Sequence, residues 1–227
     1  MIQPAGPHVR TASRHGRDEG RRDEARRDEA HRDEAGRDEV RLVLGSAASR
    51  VRVRTTDLSG PLCRVSTPAG SGLAPALSVV DGTVQVALRR TGDDGPDTVD
   101  VLLDRAVRWR ITLAAGAGEQ HLDLARGRLS AVELGAGAGL VRVWLPRPSG
   151  TVPIRLTGAV GRAEIVAPRG VPVQVRSRGV LATVVVPWAA RTDVPAGTAL
   201  VPPGWAAAAD RYRLDAGMGV GILTVRE

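Results

Sequence analysis

The stretch that decides the fold is "ELGAGAGLVRVWL", residues 133–145. Three glycines, Gly135, Gly137 and Gly139, alternate between two apolar runs. A dinucleotide-binding loop needs a third glycine three places after the second, and a helix to follow. Counting from Gly135 and Gly137 that place is Leu140; counting from Gly137 and Gly139 it is Arg142. The residues that follow, "LVRVWL", alternate apolar and polar side chains with the period of a strand. No helix N-terminus is offered to a phosphate, so the stretch reads as a corner between strands.

Its copies support that reading. "AGAG" stands at 115–118 and again at 136–139, then relaxes to "GAVG" at 158–161 and "RGV" at 178–180. Gly116, Gly137, Gly158 and Gly179 are thus spaced by 21 residues throughout. Two short strands follow in each unit: "HLDL" then "AVEL", "VRVWL" then "VPIRL", "AEIV" then "VPVQV". Between the members of each pair sit "ARGRLS", "PRPSG" and "APRG". Such a unit cannot bury its apolar face alone, and stacking the units makes one core, which is the logic of a β-solenoid. The four glycines should then share one corner, where positive φ or close backbone approach favours a missing Cβ. Alternation points Leu122 and Leu124 inward with His121 and Asp123 outward, and Val141, Val143 and Leu145 inward with Arg142 and Trp144 outward. Arg155 and Arg176, also 21 apart, are expected on neighbouring coils.

The same alternation runs upstream through "VRLVL" (40–44), "RVRVR" (50–54), "TVQVAL" (83–88), "TVDVLL" (98–103) and "WRITL" (109–113), and downstream to "LATVVV" (181–186). The one short helical candidate is "WAAAADRY" (205–212). The fold class expected is all-β: one domain, residues 40–227, forming a right-handed β-solenoid capped by "GWAAAADRYRLDAG". Residues 1–39 differ in kind. Arg-Asp-Glu recurs five times at a spacing of five from Arg17, a step of about 140° on a helix, so no apolar stripe forms. This segment reads as a charged tail, disordered or transiently helical. Its 7 arginines against 10 acids over 17–39 argue against a nucleic-acid arm.

All 32 basic residues are arginine, and phenylalanine is absent, which points to a GC-rich bacterial genome and a core of Val, Leu, Ile and Ala. One cysteine, Cys63, excludes an intrachain disulfide and reads as a small apolar residue. With no signal-peptide pattern and no apolar run of membrane-spanning length, the expected location is cytoplasmic, with peripheral association to the envelope as the variant.

The stretch from "WRITLAAGAG" to "VPVQV" (109–175) and the closing "DRYRLDAGMGVGILTV" (210–225) resemble the bacterial β-strand-repeat domain known as "putative adhesin". They are equally similar to the C-terminal domain of LiaF-type cell-wall-antibiotic response proteins. The resemblance spans roughly 100–227 well and 40–100 loosely. It implies a β-solenoid and, in the LiaF branch, a role in sensing envelope stress beside a membrane partner. It supplies no catalytic residues to carry over.

Chemistry is sparse. His121, Asp123 and Glu119 lie close in sequence, but a metal needs three or four well-placed ligands, and a solvated strand face explains them. The "TGDDGPD" turn (91–97) lacks the closing bidentate glutamate of a calcium loop. Catalytic, cofactor and metal sites are therefore all expected to be absent. The balance of 23 arginines to 15 acids over 40–227 suggests a different use. Arg142, Trp144, Arg155, Arg176 and Arg178 form the candidate interaction surface, suited to an acidic surface or polymer. Nucleic acid is disfavoured, because stacking aromatics and a recognition helix are missing. The function expected is a non-catalytic scaffold or interaction module, with an unidentified protein partner or self-association, associated with envelope stress. The alternatives are a binding module for an acidic or polysaccharide envelope polymer and, third, a solenoid-type polysaccharide-active enzyme.

Overall fold

A computed structural model describes residues 6–13 and 39–227. Its first strands are β1 (His8–Ala12), β2 (Glu39–Leu44), β3 (Ala48–Thr56), β4 (Cys63–Thr67), β5 (Leu73–Val80), β6 (Thr83–Arg90) and β7 (Thr98–Asp104). The central repeat supplies β8 (Arg108–Leu113), β9 (Ala117–Asp123), β10 (Arg128–Leu134), β11 (Ala138–Trp144), β12 (Thr151–Leu156) and β13 (Val160–Val166). The last are β14 (Val173–Ser177), β15 (Leu181–Val186), β16 (Ala189–Val194), β17 (Ala199–Leu200), β18 (Arg211–Ala216) and β19 (Val220–Arg226). The described residues contain no helix, and so none that could cross a membrane. "WAAAADRY" is not helical: it runs through turns into β18.

The strands form a 10-stranded sheet, β1-β4-β7-β3-β9-β11-β13-β19-β15-β16, and a 9-stranded sheet, β17-β14-β18-β12-β10-β8-β2-β6-β5. Neither sheet closes on itself. Inner neighbours are parallel, and antiparallel strands finish both ends: β4 and β1, β5, β16 and β17. Those end strands satisfy backbone groups that a parallel stack would leave open. Each crossover from one sheet to the other makes a two-strand layer. Inward residues of the two sheets meet in one aliphatic core that includes Leu122, Val143, Ile154, Ile165, Leu214 and Leu223. The expected inward and outward sets of "HLDL" and "VRVWL" stand as read.

Spatial order departs from chain order at two places. The β2/β3 layer sits between β6/β7 and β8/β9, and the β18/β19 layer sits between β12/β13 and β14/β15. The segment "GWAAAADRYRLDAG" therefore does not cap the stack; its second half is an inner strand. Arg155 and Arg176 are likewise not neighbours, because Asp215 lies in register between them. The sequence reading leaves residues 1–39 outside the domain, yet His8–Ala12 pairs with β4 and Glu39 opens β2. Most of the Arg-Asp-Glu tract, residues 17–38, lies outside the described residues.

The corner glycines work by close approach, since positive φ occurs at other positions. A Cβ on Gly158 would stand 2.3 Å from the Ala136 carbonyl carbon, and one on Gly116 3.0 Å from the Gly137 oxygen. Gly179 belongs to the same corner, but its contacts are Gly217 and Met218, again because β18/β19 intervenes.

Candidate functional site

The five residues of the expected interaction surface do not form one surface. Arg142 and Trp144 lie on the outer face of the larger sheet, and Arg155 and Arg176 on that of the smaller sheet, with Arg178 at its corner. Moreover, the arginines are engaged. Arg142 Nε donates to Glu164 at 3.0 Å, and Arg226 lies 3.6 Å from the same carboxylate. Arg155 is 3.8 Å from Glu133. Arg176, Arg178 and Arg213 converge on Asp215 at 3.9, 3.7 and 3.5 Å, and Asp215 is only 6% exposed. In-register parallel pairing sets like residues side by side, and like charges there disfavour the sheet. The row Glu133–Arg155–Asp215–Arg176 alternates instead.

His121 breaks this pattern: its in-register neighbours are Arg52 and Arg142, and the carboxylate beside it is on its own strand. Its Nε2 is 3.3 Å from Glu119, which also accepts a 2.8 Å hydrogen bond from Arg50 Nε. That bond holds the Glu119 carboxyl below the usual range. Among the described residues, no group of three or more His, Cys, Asp or Glu is arranged to hold a metal ion. Cys63 is fully buried, and burial pushes its thiol up to about 11, so it is not a nucleophile at neutral pH.

A concave site lies at the other corner of the layers, where the larger sheet hands over to the smaller. There the Ala167–Val173 segment, the Pro187–Trp188 turn and the Pro202–Ala208 loop enclose a groove of about 310 Å³. Val225 and the last two residues line it as well, and a second hollow shares Pro187, Val225, Arg226 and Glu227 with it. The second lies over Val185 and Val186 of β15 and Thr224 and Val225 of β19, which are neighbours in the larger sheet, so the two hollows adjoin. Trp188 is half-buried and packs against the core, so its indole is held in place. Pro172, Pro187, Pro202 and Pro203 stiffen the walls, which lowers the entropy lost when a ligand is held.

The loops beside the groove are braced from within. Tyr212 is fully buried, burial raises its hydroxyl pKa, and it donates a 2.7 Å hydrogen bond to the Pro146 carbonyl. Asp210 accepts from the Gly150 amide at 2.7 Å, tying the 202–210 loop to the 146–150 loop. Arg211 stacks 4.8 Å over the Trp205 ring and donates to the Trp205 carbonyl. The sequence signals for this region were "VVPW" (185–188) and "VPPGW" (201–205), two clusters of proline with tryptophan. Strand periodicity passes over them because they lie in turns.

No family model and no curated protein matches the chain. Among solved structures it is similar to the crystal structure of a "putative cell adhesion protein" from Clostridium sporogenes ATCC 15579. The identity is 15%, 99% of each chain is covered, and the TM-score is 0.66. That likeness is one of fold. A "putative adhesin" from Bacteroides fragilis NCTC 9343 aligns at 11% identity over 82% of this chain and 91% of that one. Its TM-score is 0.21.

Proposed function

We propose that this chain is a non-catalytic binding module of the bacterial envelope that holds an extended glycan in the groove beside Trp188. The observation that carries this reading is the groove's lining: indole and proline rings, with Arg226 and Glu227 as its ionisable side chains. Ring faces suit the apolar faces of sugars, and two adjoining open hollows suit a chain rather than a compact molecule. Cleavage of a glycosidic bond would call for two positioned acidic side chains, and Glu227 is the single acidic side chain in the lining. The adhesion name of the Clostridium protein, which shares the fold, supports the same reading. On this proposal the parallel layers act as a rigid, solenoid-like support. The envelope-stress role implied by the LiaF resemblance becomes a special case, in which the glycan held is a wall polymer.

The test is a pull-down of the full chain on insoluble bacterial cell-wall polysaccharide. Binding is expected for the parent and lost in W188A, with the unfolding midpoint of W188A reported beside it. Retained binding in W188A, or release of reducing ends from the polysaccharide, would overturn the proposal.

A further inference from the structure

Some arginines with no carboxylate in salt-bridge distance among the described residues lie on strands, such as Arg41, Arg54 and Arg162, but three others recur with the repeat. They stand in the corner loops that the repeat generates: "ARG" at 125–127, "PRP" at 146–148 and "PRG" at 168–170. Arg126, Arg147 and Arg169 are spaced by 21 and 22 residues, and all three are exposed. Asp123, Trp144 and Val166 are in register on β9, β11 and β13, and each arginine lies three residues beyond one of them. The register continues into the loops, where Leu124 N donates to Trp144 O at 2.9 Å and Leu145 N to Val166 O at 2.9 Å. The three guanidiniums are therefore carried by consecutive layers, whose backbones repeat about every 4.8 Å.

Among the described residues, no carboxylate approaches any of the three within salt-bridge distance, in contrast to Arg105 in the β7–β8 turn, which pairs with Asp57. The loops that carry them are built to hold shape. Tyr212 anchors the carbonyl just before Arg147, and around Arg126 the Gly127 amide donates to the Leu124 carbonyl at 2.9 Å. Gly150 and Gly170 take positive φ to complete the second and third loops. Residues 167–173 then run directly into the groove wall, so the row of charge ends at the groove beside Trp188.

We infer that Arg126, Arg147 and Arg169 form a linear anion ladder that binds an acidic polysaccharide with one carboxylate per sugar, laid along the corner and into the groove. Arginine presents a planar fork that matches a carboxylate. One cation per layer gives a row whose backbone repeat, about 4.8 Å, is close to the length of one sugar unit. Duplex DNA is a poorer match, because each strand offers a phosphate about every 3.4 Å of axis and winds away from a straight edge. Each contact is weak and screened by salt, so affinity comes from several contacts made by one polymer. The inference rests on the binding-module reading and names its ligand class.

The test measures binding of the full chain to polygalacturonate, to galacturonate monomer, to neutral dextran and to single-stranded DNA of matched charge. Polygalacturonate is expected to bind, with affinity falling as salt rises, and the monomer is not. R126Q/R147Q/R169Q should bind polygalacturonate about tenfold more weakly or worse. R142Q/R178Q, which removes two strand-face or corner arginines already paired with carboxylates, should bind as the parent does. The ladder is overturned if the triple variant binds like the parent, if the monomer binds as well as the polymer, or if DNA binds more tightly than polygalacturonate. Loss of binding in W188A with the ladder effect intact supports both proposals. Unaltered binding in W188A with the ladder effect intact removes the groove alone.

Discussion

Arg142, on the outer face of β11, and Arg147, five residues later in the corner loop, show two fates of one side chain. Arg142 stands in register with Glu164 on β13 and donates to it at 3.0 Å. Arg147 has its loop held by Tyr212 and no described carboxylate in reach. The difference follows from geometry. On a strand face, parallel register sets each side chain beside its counterpart in the next layer, and along Glu133–Arg155–Asp215–Arg176 the charges alternate, although Arg41 stands beside Arg110 and Arg108 beside Arg128. At a corner the chain turns outward and side chains splay, so the same charge can recur layer after layer. Arg142 therefore serves the fold, whereas Arg147, like Arg126 and Arg169, is free to serve a ligand.

The harshest way to break the comparison is to remove the layer that keeps face charges apart. Ending the chain at Ala209 deletes β18 and β19, and with them Asp215, Tyr212, Leu214 and Leu223. Loss of cooperative urea unfolding is expected; a sharp transition in the truncated chain would contradict the sheet order. Next come the two corners. Gly158→Ala forces a Cβ against the Ala136 backbone and should cost about 3 kcal/mol. Gly170→Ala meets open space and only the strain of φ +74, about 1 kcal/mol. Chemical denaturation of both variants ranks them, and equal losses would mean that the glycine corner is not tightly stacked.

Charge substitutions sharpen the contrast. Asp215→Asn leaves Arg176, Arg178 and Arg213 facing no anion. Their guanidiniums are partly exposed, which discounts the effect to about 1–2 kcal/mol. R126Q/R147Q/R169Q should leave stability within about 0.5 kcal/mol. A thermal-melt comparison in which the corner variant loses more than Asp215→Asn would reverse the assignment of roles. The smallest effect concerns acid. The hydrogen bond from Arg50 holds Glu119 below its unfolded pKa, so its contribution is present above that unfolded value and fades as pH falls through the folded one. The difference in melting temperature between the parent and E119Q should shrink steadily below about pH 4; a difference constant with pH would deny the coupling.

Much of this was legible from residues. Period-2 alternation marked the inner strands, and the 21-residue glycine spacing marked a real corner, because both are local consequences of backbone geometry. The order of layers was less so. A parallel strand can pair with any compatible edge, and nothing near Arg176 says that Asp215, 39 residues on, will lie beside it. A faint signal existed: "VG" at 160–161 returns at 220–221, and these residues are in register. The end strands β1, β4, β5, β16 and β17 were missed because their alternation is short or one-sided. The corner arginines were visible as repeated turns, but their lack of partners depends on which layers adjoin.

The place of β18 and β19 also has a consequence in time. A chain leaves the ribosome from its N-terminus, so Val173–Val194 emerges before Arg211–Arg226, the segment that must lie between it and the preceding layer. Growth by adding finished coils one after another is closed to this molecule. The segment must either wait with an unmatched edge or rest on β12/β13 and later give way. Completion waits on Arg211–Arg226, and a message stalled or shortened before them would yield a product in which Val173–Val194 lacks its proper neighbour.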